Sequence, residues 1–194
     1  PAISHSPNQT KIDQASQRAA INWQSFNVGS QQSVQFNQPN ASAVALNRVV
    51  GPNPSQIAGR INANGQIILQ NQSGVVFYKG SQVNTAGLMV TAAASGNAAV
   101  QTFIAGGNLV ADLPAHPNAA VINQGQITIR QAGLAALVAP QVRNDGIITA
   151  RLGHVVLAGG TKTTLDLYGD GMLSIDVTGL VKTMPNGATA LVTN

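Results

Sequence analysis

Short runs in which apolar and polar residues alternate, each run closed by Asn or Gly, fill most of this chain. Alternation with a period of two predicts strands that bury one face. In Gln126-Ile127-Thr128-Ile129 two apolar positions frame a hydroxyl, and Ile147-Ile148-Thr149-Ala150 repeats the arrangement. The whole block from Asn123-Gln124-Gly125 to Arg130 returns from Asn144-Asp145-Gly146 to Arg151, an interval of 21 residues. That shift lays Ile127 over Ile148 and Thr128 over Thr149, so inward and outward positions recur in register, as in a solenoid. A second strand follows each copy. Leu134-Ala135-Ala136-Leu137 is echoed 20 residues later by His154-Val155-Val156-Leu157, which places Ala135 and Leu137 beside Val155 and Leu157 and leaves Leu134 and His154 facing outward.

Earlier turns share the punctuation. Asn62-Ala63-Asn64-Gly65 precedes Gln66-Ile67-Ile68-Leu69, and Asn84-Thr85-Ala86-Gly87 precedes Leu88-Met89-Val90. Asn71-Gln72-Ser73-Gly74 then opens Val75-Val76-Phe77-Tyr78, read as the second strand of its coil. Asn and Gly tolerate positive φ, so Gly65, Gly87, Asn123, Gly125, Asn144 and Gly146 are expected to form the solenoid turns. One coil alone buries too little apolar surface to offset the entropy of ordering its backbone, so stability must belong to the stack and its ends need caps.

The pattern predicts an all-β parallel β-helix, read as a single domain over residues 1–194. Residues 1–40, with Trp23, Phe26 and Phe36, form the expected N-terminal cap region, and residues 41–194 the coils. Excursions are expected near 112–119, from Pro114 and Pro117, and near 160–170, where the glycine interval lengthens.

Composition agrees. Only 8% of residues are charged, while Asn, Gln, Ser, Thr and Gly supply the polarity, which suits rows of stacked side chains where repeated like charges would repel. The net charge of +4 is spread singly along the chain, which argues against a nucleic-acid groove. With no cysteine there is neither a disulfide framework nor a thiolate metal site. No apolar run reaches the length of a membrane span, so no membrane insertion is expected.

His5, His116 and His154 sit in no metal-binding or nucleophile motif, and no cofactor is expected. Asp166, Asp170 and Asp176 are too irregularly spaced for an EF-hand or nonapeptide calcium repeat and read as turn and surface residues. Six acidic residues in all, with few aromatics, argue against a carboxylate-dependent polysaccharide enzyme.

The segments Ala19-Ala20-Ile21-Asn22-Trp23-Gln24-Ser25-Phe26-Asn27-Val28-Gly29, Val34-Gln35-Phe36-Asn37-Gln38-Pro39, Ser42-Ala43-Val44-Ala45-Leu46-Asn47-Arg48-Val49 and Pro54-Ser55-Gln56-Ile57 closely resemble the amino-terminal secretion domain of two-partner secretion exoproteins, the filamentous-haemagglutinin-type domain. The likeness resumes at Ile61–Gln66, Lys79–Asn84 and Gly169–Ser174. The resemblance implies a right-handed parallel β-helix with an N-terminal cap and small extra-helical β elements. It also implies a non-enzymatic secretion and targeting domain of a large adhesin-like exoprotein of a Gram-negative bacterium. Such a protein passes the periplasm and is read by an outer-membrane transporter through its periplasmic polypeptide-transport-associated domains. The matching motif positions, Asn22, Trp23, Phe26, Asn47, Arg48, Asn71 and Gly74, are the expected recognition residues. Where the family carries Asn-Pro-Asn-Gly-Ile, this chain has Asn71-Gln72-Ser73-Gly74-Val75 and so lacks proline's fixed φ at that corner.

A strand-rich chain held extended can add to a sheet edge on a transporter. Freedom from disulfide-closed loops suits threading through a narrow pore. Two other readings stand beside this one: a self-sufficient glycan-binding or fibre-forming solenoid using its Asn, Gln and Thr rows, with host or matrix glycans as partners, and a β-helical polysaccharide enzyme dependent on Asp166 or Asp170.

Overall fold

The computed structural model describes residues 1–130, 132–167, 173–185 and 187–194. The chain winds as a right-handed parallel β-helix of about seven turns bounded by three sheets. The first sheet stacks Ala2–Ser6, Gln9–Asp13, Ser33–Asn37, Arg60–Ala63, Gln82–Thr85, Gln126–Ile129 and Ile147–Ala150. The second stacks Arg18–Trp23, Val44–Val49, Gln66–Asn71, Gly87–Thr91, Leu134–Ala139 and His154–Gly159. The third stacks Ser55–Ile57, Gly74–Phe77, Ala120–Asn123, Gln141–Asn144 and Val192–Thr193. A full coil therefore has three strands, where the two-strand reading put Val75–Tyr78 second. The third strand is short and follows an Asn71 corner rather than a new alternating run, so periodicity alone merges it with its neighbour.

The register is the one the repeat predicts. Ile127 pairs with Ile148 and Thr128 with Thr149, while Ala135 and Leu137 pair with Val155 and Leu157. Each pairing extends into a row. Val34, Ile61, Val83, Ile127 and Ile148 run down the lumen on the first sheet, and Val75, Val121, Val142 and Val192 on the third. On the outer face of the first sheet, Gln35, Asn62, Asn84, Thr128 and Thr149 form a polar row open to water. Asn84 Nδ2 donates to Asn62 Oδ1 at 3.3 Å within it.

At the N-terminal end the antiparallel pair Ala2–Ser6 and Gln9–Asp13 closes the first sheet. Residues 18–23 and 33–37 already run parallel to later rungs, so the segment expected as a cap over residues 1–40 is largely coil. Phe36, fully buried against Ile12, fills the lumen there.

The middle strands of the second sheet, Gln66–Asn71, Gly87–Thr91 and Leu134–Ala139, are buried on both faces. Residues 92–119 leave the helix before returning at Ala120, an excursion that begins well ahead of the prolines expected to mark it. It contains the helix Asn97–Ile104 and the strand Leu109–Ala111. A later excursion carries Thr163–Leu167 and Leu173–Val177, which join Leu109–Ala111 in a small antiparallel sheet. Part of the excursion expected over 160–170, including Asp170, lies outside the described residues. Val100, Phe103, Leu109 and Leu165 cover Val44, Leu46, Ile68, Met89, Leu134 and Ala136. This is why Leu134, outward-facing in the repeat, is 5% exposed while its register partner His154 stands in water.

The corner glycines serve space rather than φ. Among the described glycines positive φ belongs to Gly74, Gly80, Gly106 and Gly187, not to Gly65, Gly125 or Gly146. A Cβ on Gly146 would lie 2.3 Å from Gly125 O, and one on Gly65 2.6 Å from Ala43 O, because successive rungs bring backbone under backbone there. Gly87 starts a second-sheet strand and is buried, paired with Gln66.

Candidate functional site

The expected recognition residues lie on three consecutive features: the strand Arg18–Trp23 with the turn after it, the strand Val44–Val49, and the corner at Asn71–Gly74. Strand alternation decides what each can do. Asn47 points into the lumen and is fully buried, in register with Ile21 and Leu69. A buried amide needs partners. Trp23 Nε1 donates to Asn47 Oδ1 at 3.0 Å, and Asn47 Nδ2 donates to Ala45 O at 3.2 Å. Trp23 packs edge-on against Phe26, ring centroids 5.4 Å apart, and Phe26 is 5% exposed. These residues form a knot that ties the first rung to the second.

Asn71 is likewise fully buried. Its Nδ2 donates to Asn53 O and Ser55 Oγ, both at 3.0 Å, and its Oδ1 accepts from Ser73 N at 2.9 Å. The last bond makes an Asx turn, which shapes the corner without proline. Gly74 follows with φ +99°, and a Cβ there would lie 2.3 Å from Ala120 O. The two residues that depart from the family pattern hold the excursion instead. Gln72 Nε2 donates to Pro114 O at 2.8 Å, His116 N donates to Gln72 O at 3.0 Å, and Ser73 Oγ donates to Pro52 O at 2.5 Å while lying 3.2 Å from His116 Nδ1.

Asn123 and Asn144 stack as the repeat placed them. Asn123 Nδ2 donates to Asn144 Oδ1 and Asn144 Nδ2 to Asn194 Oδ1, each at 2.7 Å, and Asn123 Oδ1 accepts from Gly125 N at 3.1 Å.

Trp23 is half-buried, and Asn22 and Arg48 lie on the outer face as register partners on adjacent rungs. They border a cavity of about 450 Å³ with Ala20, Asn97, Val100, Gln101 and Ile104. Both terminal nitrogens of Arg48 lie 3.3 Å from Asn97 Oδ1, and burial lowers its guanidinium pKa. Sequence reasoning missed the helix half of this cavity. The available signal was Val100 and Phe103 at a spacing of three, an apolar face too short to stand out. It also missed Arg18, whose Nη1 donates to Phe103 O at 2.8 Å and Gly107 O at 2.6 Å, with its guanidinium 5.3 Å from the Phe103 ring centroid.

Asp166 and Asp176 lie on the two strands of the small antiparallel sheet, in register with Ser174 and Thr164. Among the described residues no group of three His, Asp or Glu side chains could hold a metal ion, and no helix is long and apolar enough to cross a membrane.

The model of the TPS secretion domain family matches residues 1–191. This chain is a TPS secretion domain. The crystal structure of the HMW1 secretion domain from Haemophilus influenzae superposes with a TM-score of 0.73 at 27% identity, covering 91% of this chain and 45% of that one. Two heme/hemopexin-binding proteins of Haemophilus influenzae, one from strain KW20 / Rd, are 49% identical over 80 residues and 45% identical over 84. These matches take in 41% and 43% of the TPS domain and 9% of either relative. The TPS domain thus corresponds to a small part of the curated relatives it matches. Its family marks secreted or cell-surface proteins of Gram-negative bacteria, with a cognate outer-membrane transporter as partner, and is not an enzyme family.

Proposed function

We propose that this domain is the export address of a large adhesin-like exoprotein and that the transporter reads it before it folds. The observation that carries this reading is the burial of four of the seven recognition residues: Phe26, Asn47, Asn71 and Gly74 are all buried in the folded helix. Residues enclosed in a core cannot form a docking surface, whereas the same residues are accessible in an extended chain. In that state the alternating segments add as strands to the edge of a periplasmic polypeptide-transport-associated domain, with backbone hydrogen bonds giving affinity and alternate side chains specificity. The folded knot then takes over. Once outside, Trp23, Asn47 and Asn71 lock the first coils, and each new rung stacks on the last.

The C-terminal end supports the second half of the proposal. Ile148, Ala150, Leu157 and Val192 are only partly buried, and Val155 is 47% exposed. A further coil laid on these rungs would bury that apolar edge, so the domain offers a template for continued winding. The relatives' names support a haem- or hemopexin-binding exoprotein as the cargo.

Deleting residues 21–60 from the full-length protein tests the proposal. The deletion is expected to leave the exoprotein in the periplasm while its transporter remains in the outer membrane. Normal appearance of the deleted protein at the cell surface would refute it.

A further inference from the structure

The cavity beside Arg48 is a built polar pocket on a domain otherwise poor in charge. It lies where the cover of the second sheet ends. One wall is the outer face of the first two rungs, Ala20, Asn22 and Arg48, and the other is the helix Asn97–Ile104 with Asn97, Val100, Gln101 and Ile104. Its volume of about 450 Å³ falls within the range of about 300–1,000 Å³ common to small-molecule sites.

Arg48 carries the argument. A guanidinium has five N–H donors, yet here two nitrogens share the single acceptor Asn97 Oδ1 at 3.3 Å, the long end of hydrogen bonding. The ion pairs among the described residues are Lys11 with Asp13 and Arg143 with Asp145, so Arg48 faces its cavity with no described counter-ion. A partly desolvated guanidinium with free donors is a receptor for a planar oxyanion, bound bidentately. Around it Asn22 and Gln101 each present both a donor and an acceptor, and Asn97, its Oδ1 held by Arg48, presents its Nδ2 donor. That is more than a carboxylate uses, since a carboxylate only accepts. Groups that both donate and accept match hydroxyls. Val100, Ile104 and Ala20 supply an apolar wall for the C–H face of a ring.

We infer that the Arg48 cavity binds a carboxylate-bearing polyol, a uronic-acid-type sugar residue, with the carboxylate on Arg48 and the hydroxyls on Asn22, Asn97 and Gln101. The pocket exists only when residues 20–48 and 97–104 have come together, that is, in the folded domain. On the secretion reading above, its ligand is therefore met outside the cell and not on the transporter.

The test uses the purified domain with side-chain amides assigned by NMR. Glucuronate and galacturonate are titrated against glucose, acetate and a short Glu-containing peptide as controls. Saturable shifts of the Asn22, Asn97 and Gln101 amides with the uronates, and not with glucose, are expected. Arg48→Gln should weaken uronate binding about tenfold or more, the loss expected for a charge-assisted bidentate contact. Gln101→Ala, at an exposed position that leaves the core intact, should weaken it by a smaller factor. Absence of uronate-induced shifts overturns the site, as does unchanged affinity in both variants. Acetate or peptide binding as tightly as glucuronate overturns the sugar assignment. None of these outcomes depends on where the residue 21–60 deletion accumulates in cells, so the pocket and the export address fail separately.

Discussion

Arg18 joins the first rung to a helix that arrives more than eighty residues later, and replacing it with Met isolates that link. Met keeps an unbranched apolar stem but removes the donors to Phe103 O and Gly107 O and the cation above the Phe103 ring. Hydrogen bonds from a charged donor contribute about 1.5–3 kcal/mol each. Arg18 is only partly buried, so water replaces part of what is lost, and the pair is worth about 1.5–2.5 kcal/mol in this setting. The ring contact adds about 0.5–1 kcal/mol. Arg18→Met should therefore destabilise the domain by about 2–3.5 kcal/mol, equivalent to a fall in Tm of roughly 4–14 °C for a chain of this size. Urea unfolding measures the first quantity and calorimetry the second. Hydrogen exchange supplies the location, with amides of the helix Asn97–Ile104 losing protection before those of the lumen strands. A change within about 0.5 kcal/mol, or uniform loss of protection, would refute the claim that Arg18 clasps the excursion onto the second sheet.

Asn71→Ala removes partners from Asn53 O, Ser55 Oγ and Ser73 N in a buried corner and should cost about 2–4 kcal/mol by chemical denaturation. Gly153→Ala places a Cβ 2.1 Å from Gly133 O, so it should destabilise by about 2 kcal/mol or more, measured the same way. The pKa of Asp13 is lowered from 3.8 first by its hydrogen bond from Asn37 and then by Lys11. Because the folded value is the lower one, Asp13 stabilises the N-terminal hairpin above pH 3.8, and that contribution is lost as pH falls through the folded value. Asp13→Asn should flatten this part of the acid dependence, read from hydrogen exchange of residues 9–13 between pH 5 and about pH 2.5.

What the sequence determined by itself was everything that repeats. Period-two alternation and the 21-residue echo sufficed to name the register and the inward faces, though not the third strand of each rung, since a parallel stack places each residue over its counterpart one coil away. The Asn and Gly corners were legible for the same reason, although the cause at Gly146 is crowding between rungs and not its φ. The block from Ile21 to Arg60 also pointed to the family. The tertiary structure decided what occurs once. The helix Asn97–Ile104, the clasp by Arg18 and the burial of Leu134 arise from segments distant in sequence that meet on the outside of the second sheet. No local period encodes such a meeting. It likewise decided that Asn47 and Asn71 face inward while Arg48 faces a cavity, because the face a strand residue takes depends on which neighbours the coil brings to each side.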